Sequence, residues 1–352
     1  MNLSIFGINH KTAPIDIREK FYLTDTEQDL FLSELKNDPI FLEAFVLSTC
    51  NRTEVYTTTL EQLNPFDSLL KILSNIKKIE NPSEFVRCFY LYKNEEATQH
   101  LFRVTAGLDS LIIGERQILG QVKDSVARAR AKGIFQKTFN LLTSFAIETG
   151  KKAQAETQIS FGGSSVSWAA VVKAEEILGS LKDKSILLIG AGKMSELTVG
   201  QIQNKNFKKL YLMNRTASNA QELAQKYRGE AVGFWDMKEV LSEVDLCVCS
   251  AGAPHYILEK STLEKVMGSR ANPQLLLIDI SMPRNIDPAV KEIPGVSLYE
   301  IDDLNHVVEG SMQVRRKAIA HVEAIIKQKL MEYHERLKKD ELFDAHHVIR
   351  KN

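Results

Sequence analysis

Apolar positions along the chain change rhythm twice. Over residues 1–157, short strand-like runs (LSIFGI, AFVLST, FYLY) are mixed with helical stretches. Two longer helical stretches, 117–132 and 136–156, close this region with Gly133 between them. The mixture predicts a compact α+β domain. The segment QISFGGSSVS that follows is rich in Ser and Gly and suits a linker that caps the next helix. From about Ser167 to Tyr299, runs that are apolar at nearly every position (SILLIGAG, KLYLMN, AVGF, DLCVCSAG, LLLIDIS) alternate with helices. Strands apolar on both faces belong to a parallel sheet covered on both sides, and the alternation is the βαβ signature. From about Asp302, apolar residues recur at Leu304, Val308, Met312, Ile319, Val322, Ile326, Leu330, Tyr333 and Leu337, mostly three, four or seven apart. That spacing predicts one long helix of about 50 Å. An apolar stripe of that length needs a partner, either another domain or another copy of the chain. The expected architecture is α/β multidomain: an α+β domain over 1–157, a Rossmann-type domain with a parallel sheet over 158–300, and a helical part over 301–352.

Composition sharpens this picture only in places. A chain of 352 residues suits two or three domains. With 44% hydrophobic and 26% charged residues it has the balance of a soluble globular protein. It has no uninterrupted apolar run of membrane-spanning length, and the N-terminus MNLSIFGINHKTAP lacks the form of a secretory signal. The 45 basic and 45 acidic residues cancel, whereas a dedicated nucleic-acid binder carries a basic surplus. Cys50, Cys88, Cys247 and Cys249 show neither zinc spacing nor a disulfide framework, and no metal site is expected. A reducing cytoplasm fits this cysteine usage. Cys88, in VRCFYLY, reads as a core thiol, and Cys247 and Cys249 as small core residues sharing one face of a strand.

Two segments carry chemistry. The strand SILLIG runs into AGKMSELT, which opens a helix. Gly190 permits the tight turn, Gly192 lets the backbone approach a pyrophosphate, and the first helical N–H groups (Ala191, Lys193, Met194 and their neighbours) face it. Ser195 replaces the third glycine of the fingerprint. The next strand ends in Asn214, Arg215 and Thr216, where an NAD enzyme places a carboxylate. A guanidinium and a hydroxyl suit the 2′-phosphate of NADPH instead. Cys50, the second segment's centre, leaves the strand AFVLST into the polar turn Asn51-Arg52-Thr53-Glu54, where a thiolate can be stabilised and reached. A cysteine nucleophile and a nicotinamide cofactor in one chain imply capture of an acyl group as a thioester and its reduction to an aldehyde. His10, at a strand end, and His100, in a helical segment, are candidate assistants that spacing alone cannot place beside Cys50.

With GINHKTAPIDIRE, STCNRTE, GLDSLIIGERQILGQVK, GAGKMSE, MNRT and DISMPRNIDP in this order, the chain resembles the glutamyl-tRNA reductase family over about Met1 to Lys338. The resemblance implies that Cys50 attacks the ester of glutamyl-tRNA, that NADPH reduces the thioester to glutamate-1-semialdehyde, and that tetrapyrroles are the eventual product. It makes His100 the active-site histidine. Thr49, Asn51, Arg52, Ser110, Glu115, Arg116, Gln117 and Gln121 become the glutamate contacts, with Arg52 as partner of the substrate carboxylate. Ser281, Pro283 and Arg284 fall where the sheet edge faces the nicotinamide. It further implies a homodimer built on the long helix as a spine, and hand-over of the aldehyde to glutamate-1-semialdehyde aminomutase. The family continues past that helix into a dimerisation bundle; this sequence ends at Asn352, so a shortened dimerisation domain is expected. Two other classes compete: a shikimate-dehydrogenase-type reductase, which needs no thiol, and a non-catalytic binding protein that has kept the fold.

Overall fold

The structure, a computed structural model, describes residues 2–60, 64–160, 165–304 and 312–349, without side chains at 312–316 and 341–349. Its contacts divide the chain into two compact units, 1–164 with 311–352, and 165–310.

The first unit runs β1 (Asn2–Asn9), α1 (Ile15–Phe21), α2 (Asp25–Asn37), β2 (Phe41–Ser48), β3 (Arg52–Thr59), α3 (Phe66–Lys77), β4 (Tyr90–Lys93), α4 (Asn94–Thr105), α5 (Gln117–Lys132) and α6 (Lys137–Glu156). Its sheet has the order β2-β3-β1-β4 with every pair antiparallel. Strand β3 is not among the strands expected from the sequence, where Asn51 to Glu54 read as a polar turn; Arg52, Thr53 and Glu54 belong to the strand instead. All eight of its residues are buried, because it lies inside the sheet and its polar side chains find partners there. Gly7 of β1 stands level with Glu54 of β3 on one side and Tyr90 of β4 on the other. A methyl group on Gly7 would come within 2.8 Å of both side chains, so the glycine leaves the space in which they meet.

Local signals bound two of the helices. Thr24 and Glu27 form a reciprocal capping box at the start of α2, and Gly133 closes α5 in the left-handed conformation. Helix α6 has no cap of its own. The Glu43 carboxylate, from β2, accepts the backbone N–H groups of Gln136 (2.8 Å), Thr138 (3.1 Å) and Phe139 (2.9 Å). A long-range anion thus replaces the missing local cap and matches the positive end of the helix dipole.

The second unit runs α7 (Val166–Leu178), β5 (Ser185–Ile189), α8 (Lys193–Ile202), β6 (Lys209–Met213), α9 (Ala217–Tyr227), β7 (Glu230–Val232), α10 (Met237–Glu243), β8 (Leu246–Cys249), α11 (Lys260–Ser269), β9 (Leu275–Asp279) and β10 (Val296–Glu300). All six strands are parallel in the order β10-β9-β8-β5-β6-β7. This is the doubly wound Rossmann sheet, which reverses direction between β5 and β8 and binds ligands at its carboxyl edge. Ser165 caps α7 through the Trp168 N–H (3.1 Å); residues 161–164 of the expected linker lie outside the described residues.

Helix α12 (Met312–Ile349), expected to form a separate third part, packs on the first unit. Ala318, Val322, Ile326 and Tyr333 join its core. Ion pairs Arg103–Glu323, Lys329–Glu148 (2.6 Å) and His334–Glu95 (2.8 Å) tie it to α4 and α6. The expected stripe therefore finds its partner within the chain. Its first member, Leu304, is buried in a short turn over 301–304; Val308 lies outside the described residues, as does the side chain of Met312.

Glu43→Ala removes three charge-assisted bonds and leaves the start of α6 uncapped. The expected loss is about 1–3 kcal/mol, read from urea midpoints; an unchanged midpoint would mean that α6 does not depend on this cap.

Candidate active site

Cys50 occupies the tip of the turn between β2 and β3. The Thr49 N–H donates to the Arg52 carbonyl (2.8 Å), the Asn51 N–H to Thr49 Oγ1 (3.2 Å), and the His10 N–H to the Asn51 carbonyl (3.0 Å). The turn is therefore held from within and by the end of β1. The thiol is half-buried.

Beneath the turn lies a buried ionic network. Arg52, Glu54 and Tyr56 alternate along β3 and share one face. Glu54 accepts from Arg52 Nη1 (2.7 Å), Tyr56 Oη (2.5 Å) and Tyr90 Oη (2.5 Å), and is bonded to His100 Nε2 (2.8 Å). Complete burial works against the Glu54 charge, but Arg52, His100 and these bonds outweigh it and hold the carboxyl well below the usual carboxylate range. Burial and then Glu54 push the Tyr56 and Tyr90 phenols far up, so both remain donors. Burial opposes the charge of Arg52 as well, and Glu54 overrides it, raising the guanidinium further.

Arg52, expected to pair with a substrate carboxylate, is bonded to protein groups in this structure. Its side chain is only 1% exposed. Nη1 goes to Glu54, Nη2 to the Asp109 carbonyl, and both approach Asp109 Oδ2 at 3.3–3.4 Å. A buried guanidinium needs such partners, so in this structure it holds protein carboxylates in the place expected for a substrate's. Asp109, a residue the sequence reading missed, also pairs with Lys11. Glu54 left one faint signal, an opposite charge two positions from Arg52, and Asp109 none.

Other expected positions follow around this network. Buried atoms without a hydrogen-bond partner include Asn51 Oδ1, Ser110 Oγ, Gln117 Nε2 and His10 Nδ1. Such atoms are few in folded proteins; Asn51, Ser110 and Gln117 are expected glutamate contacts, while others lie elsewhere, as at Thr57, Thr58 and Ser74. His10 is lowered to about 4, by burial first and then by Arg52 and Lys11, so its imidazole is neutral at pH 7. Glu115 is buried rather than on a helix surface, and burial raises it to about 7, Arg52 pulling it back only in part. Gly114, beside it, has φ +85°, and a methyl group there would meet the Ile159 carbonyl at 2.1 Å. Thr49 is buried, Gln121 half-buried and Arg116 exposed.

The second unit gathers its own site at the carboxyl edge of the sheet. Gly190, with φ +118°, ends β5; a methyl group there would sit 2.8 Å from the Ser250 carbonyl and 2.9 Å from Ser195 Oγ. At Gly192 the same methyl would meet open space, room that a phosphate can use. Ser195, in place of the third glycine, is buried and shares a hydrogen bond with Ser250 Oγ (2.6 Å), fastening α8 to the end of β8. A cavity of about 410 Å³ is lined by Gly190, Asn214, Arg215, Thr216, Asn219, Phe234 and the loop residues Ala251–His255 with Ile257. Arg215 is exposed and makes no ion pair among the described residues. The end of β6 thus offers a free cation and no carboxylate. Ala191, Lys193 and Met194 do not line this cavity. Sequence reasoning missed Asn219, Phe234 and His255.

One further carboxylate shapes this edge. Asp279, ending β9, accepts the N–H groups of Ser281 (2.9 Å), Asn285 (2.7 Å) and Ile286 (2.8 Å). Asn285 in turn bonds Ala253 and the His255 carbonyl, so one buried acid secures two loops. Arg284, expected near the nicotinamide, is paired with Glu300 at 3.0 Å.

Comparison with known proteins agrees with this division. A family model described as "Glutamyl-tRNAGlu reductase, N-terminal domain" matches residues 6–157, and one described as "Shikimate / quinate 5-dehydrogenase" matches 172–307. Glutamyl-tRNA reductase of Thermodesulfovibrio yellowstonii is 41% identical over 93% of this chain and 78% of its own length. That of Carboxydothermus hydrogenoformans is 42% identical, over 94% and 73%. Among solved structures, glutamyl-tRNA reductase from Methanopyrus kandleri is similar with a TM-score of 0.52 and 32% identity, over 96% of this chain and 80% of that one.

The raised Glu115 sets a stability signature. Its folded value lies above its unfolded one, so its contribution is complete below about pH 4.5 and is lost as pH rises through about 7. Glu115→Gln should therefore stabilise the protein at pH 8 by up to about 3 kcal/mol and by little at pH 5. Urea midpoints at both pH values check this; equal differences at the two would rule out titration as the cause.

Proposed function

Because the chain belongs to the glutamyl-tRNA reductase family, we propose that its first unit captures the glutamyl group of glutamyl-tRNA on Cys50 and that its second unit holds NADPH for the reduction. Cys50 Sγ attacks the carbonyl carbon of the ester joining glutamate to the 3′ end of the tRNA. The carbon–sulfur bond forms, the carbon–oxygen bond to the ribose breaks, and the thiol proton ends on the released oxygen. NADPH, when bound, supplies the hydride that reduces the thioester carbonyl. The carbon–sulfur bond then breaks, the sulfur regains a proton, and glutamate-1-semialdehyde leaves as the first committed intermediate of the five-carbon route to tetrapyrroles.

The observation that carries this reading is a half-buried thiol on a pinned turn, in a unit that holds buried, unpartnered polar atoms on Asn51, Ser110 and Gln117. An α-ammonium group gives Asn51 Oδ1 a donor, and a γ-carboxylate gives Gln117 Nε2 an acceptor. Glu115, when ionised, adds a counter-charge for the ammonium group. Thr49, Arg116 and Gln121 complete the contact set by family resemblance. Arg52 reaches a substrate carboxylate only by exchanging Asp109 for it. His100 assists the thiol or the departing ribose oxygen.

For the cofactor, Gly190 makes the tight turn and Gly192 leaves room for the pyrophosphate. Ala191 and the start of α8 at Lys193, Met194 and Ser195 face it, and Asn214, Arg215 and Thr216 take the 2′-phosphate. Dimerisation through α12, transfer of the aldehyde to glutamate-1-semialdehyde aminomutase and a cytoplasmic setting belong to the same reading. Among the described residues no helix is long and apolar enough to cross a membrane.

Two measurements test it. Wild type incubated with labelled glutamyl-tRNA and NADPH should yield semialdehyde, and without NADPH should retain label on the protein. Cys50→Ser should lose at least about 10³-fold of the reductase rate. A ketone reductase on the same fold would keep its rate after that change, and the proposal would fall. Arg215→Ala should raise the KM for NADPH about 10- to 100-fold while leaving that for NADH nearly unchanged. Equal effects on both cofactors would show that Arg215 does not touch the 2′-phosphate.

A further inference from the structure

Glu54 is a buried ionised group to which the reaction above gives no task, yet it touches His100. An ionised carboxylate can only accept hydrogen bonds. The hydrogen in the 2.8 Å contact therefore sits on His100 Nε2. Arg52, Tyr56 and Tyr90 supply three more donors to the same carboxylate, so its lone pairs are filled by groups that do not give up their protons near neutral pH. The imidazole is confined as well as bonded. Tyr90 and Tyr92 lie against it with ring centroids 5.8 and 5.0 Å away, which limits its rotation. With Nε2 protonated and fixed, the nitrogen left to exchange protons is Nδ1.

We propose that Glu54 is a positioning residue that locks His100 in the Nε2–H tautomer and makes Nδ1 the nitrogen that exchanges protons during acyl capture. This rests on the reading of the first unit as the acyl-capture site. The step is balanced: the thiol proton passes to Nδ1 as the carbon–sulfur bond forms, and from Nδ1 to the ribose oxygen as the ester bond breaks. Glu54 stays ionised throughout and takes no proton. The arrangement follows the logic of a carboxylate that orients a catalytic imidazole, with the roles of the two ring nitrogens exchanged. Gly7 is part of the same device, because a methyl group on it would press on both Glu54 Cγ and Tyr90 Oη at 2.8 Å.

The test begins with the unaltered full chain labelled with ¹⁵N-histidine. Long-range proton–nitrogen correlation at mildly alkaline pH, with the His100 signals identified by their loss in His100→Gln, should show a protonated Nε2 and a bare Nδ1. A bare Nε2 would overturn the proposal without need of any variant. Glu54→Gln should then give a mixed tautomer and a kcat lowered about 10²- to 10⁴-fold, with KM changed less than about threefold. Gly7→Ala, which removes no donor or acceptor, should move tautomer and kcat the same way, and it decides the matter if Glu54→Gln fails to fold. An unchanged tautomer and kcat in a folded variant would also overturn it. The wild-type spectrum does not depend on activity, so failure of the tautomer assignment and failure of the acyl-capture reading are told apart.

Discussion

A charge can be buried only when other groups take over the work of water, and the first unit is arranged around one such charge. The Glu54 carboxylate receives four donors from four directions: Arg52 and Tyr56 on its own strand, Tyr90 from β4 and His100 from α4. Arg52 extends the network to Asp109, and Asp109 to Lys11. The turn that carries Cys50, the helix that carries His100 and the loop that leads to Ser110 and Glu115 thereby share one electrostatic anchor. Removing one member would leave the others buried and unpaired, which in comparable sites costs about 3–5 kcal/mol. The unit therefore ties Cys50, His100, Ser110 and Glu115 to one buried network.

The second unit applies the same physics to backbone groups. Asp279 gathers three N–H groups of the loop after β9, and Asn285 links that loop to the one after β8. Burial outweighs these bonds and raises the carboxyl to about 6, so the acid is less firmly ionised than Glu54. The difference has a plain cause. Glu54 faces a full cation in Arg52, while Asp279 faces only peptide dipoles. Cys247 and Cys249, on the strand beside it, are pushed far up by burial and act as inert core residues.

Helix α12 shows how an amphipathic stripe is completed. Val322, Ile326 and Tyr333 lie in the same core as Phe102 and Phe139, and the ring of Tyr333 packs against Phe102 and Phe145. Glu43 makes a parallel case at the other side of the unit, where a strand residue some 93 positions away supplies the cap that α6 lacks. In both cases the local pattern announces a need and the fold supplies the partner.

Much of this protein was legible in its sequence. The parallel sheet, the helices at 117–132 and 136–156, the turn at Gly190 and the absence of a carboxylate after β6 all follow from periodicities and residue types within a few positions of one another. Strand β3 was not legible, since buried Arg, Glu and Thr side chains read as a solvated turn until their partners are known. Nor was the commitment of Arg52 to Glu54 and Asp109, the burial of Glu115, or the contact between Glu54 and His100, which lie 46 positions apart. Backbone conformation answers to neighbours in sequence. Protonation and charge pairing answer to whatever the fold brings within about 3 Å, and in this chain only the tertiary structure decides which groups those are.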